Sequence, residues 1–283
     1  MMRNIKEVYF IGSGFSRSVD GPSWEDLKKF LIWETIGYYK GANFEEYWEE
    51  LVRKFLKKYS HIKQSKEIIE KPEFVTFLIS KYYGGKRGLK SFFSRYLLQY
   101  PSVLHIVVIQ ELMKRKAILL TTEFDGLFRK TLDLLNIKYT KKFYGKKTDK
   151  KVEVFRIGNS LKIVELHGNI VDEETLICEL DEIEEWKNDE IVDFLNDELN
   201  TKKILFIFWG YSGRDSDIKD LFRKLEISSS KILKTFVIRR SGNSIGELDE
   251  IFRDRIHISP NERKPIKTWE KLKKECNKLC VKK

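Results

Sequence analysis

Four short apolar runs, each followed at once by small and polar residues, constrain the fold of this chain more than any other feature. The runs are 8–11, 117–120, 162–165 and 204–209. An apolar run of this length bounded by turn residues is typical of a buried strand. Because ligands bind at the carboxyl ends of parallel strands in an open sheet, we expect the four clusters that follow to lie together.

The first cluster is rich in glycine. It begins with Gly12-Ser13-Gly14-Phe15-Ser16 and continues to Gly21-Pro22-Ser23-Trp24. A strand that leads into a glycine-rich turn and then a helix can hold a phosphate, because glycine lets backbone N–H groups approach an anion closely. This cluster lacks the third glycine of the common dinucleotide fingerprint. Taken alone, it therefore leaves a plain strand-to-helix turn open.

The other three clusters carry the candidate reactive side chains. They are Thr121-Thr122-Glu123-Phe124-Asp125, Leu166-His167-Gly168 and Gly210-Tyr211-Ser212-Gly213-Arg214-Asp215. With the first cluster they resemble, in order, the motifs of the sirtuins, and more closely those of the zinc-less sirtuin-like NAD hydrolases of prokaryotic defence systems. One position departs from the resemblance, because Glu123 stands where that family has its catalytic asparagine.

The resemblance implies a substrate and a base. The substrate is NAD, whose nicotinamide–ribose bond breaks through a transition state like that of glycoside hydrolysis. His167 would take a proton from a ribose hydroxyl or from the attacking water, a task that suits an imidazole at neutral pH. The resemblance places these residues at the nucleotide: Gly12, Ser13, Gly14, Ser16, Asp125, Gly210, Ser212 and Asp215.

Within that set, the resemblance gives Ser212 and Asp215 to the adenosine half of NAD, and it places Arg239 beside the adenine. Asp215 also precedes a predicted helix. An aspartate at that position can cap the helix instead of touching a ligand. Both roles for Asp215 stay open at this point.

Glu123 leaves two outcomes open. An asparagine amide both donates and accepts hydrogen bonds, whereas a carboxylate only accepts them and adds charge to a pocket that faces two phosphates. The carboxylate could stabilise a positively charged ribose and activate water, as glycosidases do, and Glu123 would then be catalytic beside His167. Otherwise the chain is a non-catalytic subunit that binds NAD or ADP-ribose.

The chain divides into a sheet-forming part and a helical part. Residues 25–115 repeat apolar side chains every three to four positions, which predicts a helical insertion or cap. Residues 1–24 and 116–283 alternate strands and helices, which predicts an α/β fold with a Rossmann-like parallel sheet and helices on both faces. A hairpin turning at Gly158-Asn159 is expected, and helices are predicted at 125–135, 173–199, 215–225, 245–253 and 268–279.

Composition limits the other functions. A net charge of +11 invites contact with nucleic acid, but the lysines are scattered among many glutamates, so we expect such contact to be weak. No stretch approaches the roughly 20 apolar residues of a membrane span. The amino terminus also lacks the features of a signal peptide, so the chain is expected in the cytoplasm and away from membranes.

The cysteines argue against a metal. Cys178, Cys276 and Cys280 cannot form the four-cysteine zinc module of deacetylase sirtuins, so no metal is expected. The resemblance further implies a homo-oligomer or a sensor or ATPase partner. The resulting hypothesis is an NAD+ glycohydrolase that releases nicotinamide and ADP-ribose and depletes NAD in prokaryotic defence. A basic nucleic-acid-binding module is a further alternative.

Overall fold

The computed structural model describes most of the chain, and every structural statement below concerns the described part. That part comprises residues 5–36, 43–58, 72–145, 151–172, 174–176, 188–200, 203–213, 215–240, 242, 244–260 and 264–281.

Eight strands form one sheet in the order β3-β4-β5-β2-β1-β6-β7-β8. The six strands from β5 to β8 in this order pair in parallel. At the other edge β4 pairs antiparallel with β5, and β3 pairs antiparallel with β4. The strands are β1 (Ile5–Ile11), β2 (Ile118–Thr121), β3 (Thr140–Tyr144), β4 (Val152–Ile157), β5 (Leu161–Glu165), β6 (Lys203–Trp209), β7 (Ile232–Ile238) and β8 (Arg255–Ile258).

Ten α-helices surround the sheet in the described part of the chain. They are α1 (Gly14–Arg17), α2 (Trp24–Ile36), α3 (Phe44–Lys58), α4 (Pro72–Tyr83), α5 (Lys86–Tyr96), α6 (Val103–Arg115), α7 (Leu127–Leu134), α8 (Asp189–Leu199), α9 (Ser216–Lys224) and α10 (Pro265–Val281). None of these helices combines the length and the apolar character that crossing a membrane requires.

Alternate residues of the strands point to two separate cores. From β1, Val8 and Phe10 join a cluster with side chains of α8 and α9, whereas Tyr9 and Ile11 join a second cluster with α6, α7 and α10. Such alternation is what a pleated strand imposes. The predicted α/β fold with helices on both faces of a mostly parallel sheet is therefore confirmed.

The strand β1 is the point at which the order of the sheet reverses. It pairs in parallel with β2 on one side, from Val8 opposite Ile118, and with β6 on the other, from Ile5 opposite Lys203. Ligands of open α/β sheets bind in the crevice outside the carboxyl ends of the strands at this switch point. The segments that follow β1, β2 and β6 are therefore the natural walls of a site.

The helices α2 to α5 form a third apolar cluster of their own, which meets the rest of the protein at Phe124, Ile170 and Leu176. The helix α6 packs instead in the cluster beneath the sheet, through Leu104 and Val108 among others. The boundary of a helical insertion at 25–115 stays a prediction. The third cluster shows that α2 to α5 bury their apolar faces largely against one another.

Several predicted elements differ in the structure. The strand β3 was not predicted, because four of its five residues are exposed and it lacks an apolar face. Residues 245–253 form turns and the short 3₁₀ helix Gly246–Leu248, since Asp249 bonds back to the N–H of Ile245. Within the predicted helix 173–199, the structure has a helix from Asp189 and turns at residues 174 and 175. Residues 173 and 177–187 lie outside the described residues.

The predicted hairpin is confirmed, with β4 antiparallel to β5 and Gly158 in the turn at φ +50°. The predicted helix at 125–135 begins two residues later, at Leu127. Asp125 is thus not its N-cap, although its Oδ1 accepts a hydrogen bond of 3.0 Å from the N–H of Leu127. Gly126 occupies the N-cap position in a left-handed conformation, which places Asp125 outside the helix.

Candidate functional site

Residues from all four sequence clusters line one pocket at the carboxyl edge of the sheet. We call it the histidine pocket. Its walls come from the segments after β1, β2, β5 and β6, together with the start of α2, as the crevice at the switch point requires. The lining residues are Gly12, Ser13, Trp24, Thr122, Phe124, His167, Gly210, Tyr211, Ser212 and Asp215.

The glycines of the first and last clusters are needed because their backbones touch. A Cβ on Gly14 would lie 2.7 Å from Cα of Gly210, and a Cβ on Gly210 would lie 2.3 Å from the backbone nitrogen of Phe15. Gly210 also adopts a φ of +70°, which side chains other than glycine rarely tolerate. The two loops are thus joined face to face beside the pocket.

This contact changes the expected role of the glycine-rich turn. The N–H of Gly14 donates to the carbonyl of Gly210 at 3.0 Å, the N–H of Gly12 donates to Trp209, and that of Phe15 donates to Gly12. These donors are engaged within the protein, so they do not form the phosphate cradle expected from the sequence. Ser13 belongs to the same turn. It lines the histidine pocket and also the two further depressions described below.

His167 is paired with an acid that the sequence did not indicate. Its Nε2 lies 3.1 Å from Oδ2 of Asp217, and both side chains are buried. The other carboxylate oxygen of Asp217 accepts a 2.9 Å hydrogen bond from the N–H of Ile218, which fixes the carboxylate. A carboxylate at Nε2 favours the tautomer with its proton there, and Nδ1 is then the nitrogen that can accept a proton.

Asp215 and Ser212 lie in the same pocket as His167. Asp215 is buried at the N-cap position of α9, but its side chain makes no capping hydrogen bond, so the alternative role of helix cap is wrong. Ser212 is exposed at the rim. Asp217 comes two residues after Asp215, inside the first turn of the helix, and this shift turns its carboxylate towards His167.

Glu123 faces a second depression, the acid pocket, which shares Ser13, Trp24, Thr122 and Phe124 with the histidine pocket. The Oγ of Ser16 lies 2.5 Å from Oε2 of Glu123 and 3.1 Å from Oδ2 of Asp125. Ser16 thus links two acids and is not directed at a pyrophosphate. The residues that line this pocket are Ser13, Ser16, Pro22, Trp24, Leu27, Leu97, Leu98, Thr122, Glu123, Phe124 and Asp125.

The two acids in this pocket carry fewer charges than the sequence suggests. Burial, and then the nearby carboxylate of Asp125, raise the pKa of Glu123 to about 8. Burial also raises the pKa of Asp125. One hydroxyl hydrogen on Ser16 cannot serve both acids, so a proton held between them completes the arrangement. Burial and the nearby carboxylate thus both favour the protonated form of Glu123, whereas the expectation from the sequence was a carboxylate that only accepts.

The Oε1 atom of Glu123 is the free end of this arrangement. It is buried and accepts no hydrogen bond within the described part of the chain. Buried polar atoms normally find partners, and those that lack one in the protein are candidates for contact with a ligand or water. Because Glu123 lines the acid pocket, its unsatisfied oxygen marks a position where a polar group of a ligand can bind.

A third depression opens from the other side of Ser13. This arginine groove has a volume of about 370 Å³, which is within the range of sites for small molecules. Arg239, which the resemblance places beside adenine, lines it. Its lining residues are Ser13, Gly14, Arg17, Ser18, Ser23, Trp24, Glu25, Trp209, Gly210, Tyr211, Ser212, Ile238, Arg239, Arg240 and Pro260.

Behind the His167 loop lies a second pair of acids that the sequence analysis did not single out. Glu153 and Glu165 face each other across β4 and β5, and both are fully buried. The amide nitrogen of Asn169 donates to both carboxyl groups, and Lys141 Nζ lies 2.6 Å from Oε1 of Glu153. Burial, followed by the charge of Glu153, raises the pKa of Glu165 to about 8.

Asn169 connects this second pair to the loop that carries His167. Its side-chain oxygen accepts hydrogen bonds from the N–H groups of Val171 and Asp172, at 2.8 and 3.0 Å. Gly168, with φ +72°, packs so closely that a Cβ would lie 2.0 Å from the carbonyl oxygen of Thr175. The loop is therefore tied down on the side away from the pocket.

A metal was not expected from the sequence. Within the described residues, no three His, Cys, Asp or Glu side chains are placed to share a metal ion. Cys276 is a buried thiol in α10 that forms no disulfide within the described part of the chain, whereas Cys178 lies outside the described residues.

Comparison with known proteins adds one match to a family model. No curated protein matches the chain significantly. Residues 117–257 match the family model described as SIR2-like domain, a range that contains the clusters with Glu123, His167 and Gly210 but not the glycine-rich turn at Gly12. The match supports a sirtuin-like family for this chain, and with it a sirtuin-related activity that depends on NAD.

Proposed function

We propose that this chain is an NAD+ glycohydrolase that cleaves the bond between nicotinamide and ribose and releases nicotinamide and ADP-ribose. The observation that carries the proposal is the buried His167–Asp217 pair, at 3.1 Å, in a pocket shared with the Ser13 and Ser212 loops. A base held by a carboxylate in a pocket lined by both loops supplies the proton acceptor that hydrolysis of a glycosidic bond requires.

His167 acts as the base. Its Nδ1 takes a proton from a ribose hydroxyl or from the attacking water, while Asp217 stabilises the imidazolium that forms. The ring of Phe124 lies 5.9 Å from the ring of His167 and restricts its orientation. The histidine is thus held in one tautomer and one position before substrate arrives.

Glu123, in its protonated form, takes the role that the catalytic asparagine has in the family. A protonated carboxyl group both donates and accepts hydrogen bonds, as an amide does. Ser16 and Asp125 hold the group in place, and its Oε1 is left for a ribose hydroxyl or water. This arrangement supports catalysis without an asparagine at position 123.

The acid pocket also keeps out bulk water. Trp24, Leu27, Leu97 and Leu98 contribute apolar walls opposite Glu123. Exclusion of water strengthens the electrostatic interactions inside a site and prevents competing reactions. Leu97 and Leu98 follow α5, so the helical segment contributes directly to the proposed site.

The biological role that we propose is depletion of NAD as the effector of a prokaryotic defence system. It rests on the resemblance of the four clusters to the zinc-less sirtuin-like hydrolases. As in that group, we propose that a second copy of the chain or a sensor or ATPase partner controls activity, which would keep the enzyme from consuming NAD continuously.

The test is incubation of the purified chain with NAD+, with nicotinamide and ADP-ribose followed by chromatography and NAD+ binding followed by calorimetry. We expect His167→Ala to lower kcat by about 10²- to 10⁴-fold with little change in binding. Asp217→Asn should lower kcat by about 10-fold or more at unchanged KM, because the tautomer is no longer fixed. Asp220→Asn, on the exposed side of the same helix, is the matched control.

A second candidate function follows from the hydrogen bond between Glu123 and Ser16, whose hydroxyl also bonds Asp125. The chain could bind NAD without cleaving it. If the parent chain binds NAD+ without turnover and Glu123→Asn gains turnover, the chain has this second function. Absence of NAD+ binding would contradict both functions.

A further inference from the structure

The outer face of α10 carries a row of exposed lysines. They follow one another along the helix at intervals of four, three and four residues, and they are Lys267, Lys271, Lys274 and Lys278. With 3.6 residues per turn, the four side chains fall within an arc of about 60° and extend over about 16 Å of the helix. We call this row the lysine stripe.

The opposite face of α10 fixes the helix to the sheet. Trp269, Leu272 and Cys276 are buried in the cluster beneath the sheet. The ring of Trp269 lies 5.8 Å from that of Tyr9 on β1 and 6.3 Å from that of Trp209 on β6. The apolar side chains of α10 are thus used inside the protein, and the lysine stripe is held on the solvent side.

The charge of the lysine stripe is largely uncompensated. Lys278 pairs with Glu275 at 2.7 Å, whereas the other three lysines form no ion pair within the described part of the chain. Glu275 also attracts Lys274 and Lys271, so one acid stands beside three lysines. Glu275 and Glu270 are the acids of this helix, and both lie outside the arc of the stripe, by about 40°.

The lysine stripe places like charges next to one another. Residues three or four positions apart are neighbours on a helix, and like charges at this spacing destabilise it. The stripe contains three such neighbouring pairs. A helix face that is merely exposed to solvent typically alternates the two signs of charge. The free helix therefore carries a repulsion that a row of anions along the stripe would remove.

The phosphates of a nucleic-acid duplex form such a row. Each strand has one phosphate per 3.4 Å of axis, so about five phosphates of one strand lie within the length of the stripe. Among the described residues, none of the exposed large apolar side chains lies on α10. The stripe thus has no aromatic ring on which an unpaired base could stack and no apolar anchor for a lipid bilayer, which favours a duplex.

We propose that the lysine stripe binds the phosphate backbone of double-stranded nucleic acid without sequence preference. Lysine suits this task, because its ammonium group is a point charge that contacts phosphates and reads no base. The proposal does not depend on the proposed NAD+ function, since no residue of the stripe lines the histidine pocket, the acid pocket or the arginine groove.

Fluorescence anisotropy with a labelled DNA duplex, measured over a series of salt concentrations, tests the proposal. We expect the logarithm of the binding constant to fall with the logarithm of the salt concentration with a slope of about −3 to −4, because each neutralised phosphate contributes about −0.9. The double variant Lys271→Gln, Lys274→Gln should bind on the order of 10-fold more weakly at about 0.1 M salt and should reduce the slope by about 2.

The matched control is the double variant Lys57→Gln, Lys138→Gln, which removes the same charge at exposed positions on other elements. It should keep the affinity and the slope of the parent, and thermal unfolding checks that both variants fold. Equal losses in the two variants, or no binding by the parent, would overturn the assignment to the stripe.

Further probes separate the possible partners. An RNA duplex of the same length shows which kind of duplex binds more tightly, and binding of either one supports the proposal. Tighter binding of a single strand, of phosphatidylserine vesicles or of polyglutamate than of both duplexes would overturn it, since the stripe would then serve unpaired bases, a membrane or an acidic protein.

Discussion

Two pairs of buried acids lie at the carboxyl ends of the neighbouring strands β2 and β5, and they are satisfied differently. Glu153 and Glu165 share the amide of Asn169, and Lys141 neutralises one of them. Glu123 and Asp125 share the hydroxyl of Ser16, and one oxygen of Glu123 accepts no hydrogen bond in the described part of the chain.

This difference distinguishes a structural pair of acids from the pair in the proposed site. Buried acids that are held by an amide and by an ammonium group of the protein rigidify their surroundings. A buried acid with one open oxygen in a cavity costs stability and gains a place to bind a ligand. The raised pKa is common to both pairs, so the pKa alone does not distinguish them.

Removal of the Asn169 side chain tests the structural pair most directly, because Glu153 and Glu165 both accept hydrogen bonds from it. Asn169→Ala should lower the free energy of unfolding by about 3 kcal/mol, because two buried carboxyl groups lose their donor. Urea denaturation measures the loss. Asn159→Ala, in the exposed turn of the hairpin, is the control and should change little. A loss no larger than that of the control would show that the pair does not hold the His167 loop.

A smaller effect is expected from the proton on Glu165. Its pKa is about 8 in the folded chain and near 4.3 when unfolded, so the folded state binds more protons between these values. Stability should therefore fall as the pH rises from about 5 to 8. Glu165→Gln removes this contribution. Between pH 6 and 8, the free energy of unfolding of this variant should therefore fall by on the order of 1–2 kcal/mol less than that of the parent.

Urea denaturation of the parent and of Glu165→Gln across this pH range measures the difference. Glu226→Gln, at an exposed position, should follow the parent. Parallel curves for the parent and Glu165→Gln would show that the proton is not held there.

The smallest change is expected at the reactive pair. Glu123→Gln should keep turnover within about 10-fold of the parent, because a neutral acid and an amide both donate and accept. Glu123→Met, which is similar in size without hydrogen-bonding groups, should lose about 10²-fold. Chromatography of nicotinamide measures both. If turnover falls as much in Glu123→Gln as in Glu123→Met, Glu123 acts as the charged carboxylate expected from the sequence.

The parts of the molecule that were predictable from sequence are those in which local pattern and burial agree. The apolar runs that end at Ile11, Thr121, Glu165 and Trp209 became strands, because each is buried in the sheet. The exposed β3 has no such pattern, since it is placed by pairing with β4 and not by its own apolar face.

Contacts between distant residues could not be predicted in this way. Ser16 and Glu123 are 107 positions apart, and His167 and Asp217 are 50 apart. The sequence showed acids at both 215 and 217, but only the direction of the first turn of α9 decides which one bonds His167. The proton shared by Glu123 and Asp125 likewise depends on burial, which a single sequence does not show.

The central position of β1 has a consequence for biosynthesis. The ribosome makes this strand before its neighbours β2 and β6, which follow more than 100 and almost 200 residues later along the chain. Contacts of such long sequence separation form late in folding. Gly14 cannot meet Gly210 until β6 has been made, so the proposed site is assembled only when synthesis is well advanced. A nascent chain that stops before β6 therefore cannot form the proposed site.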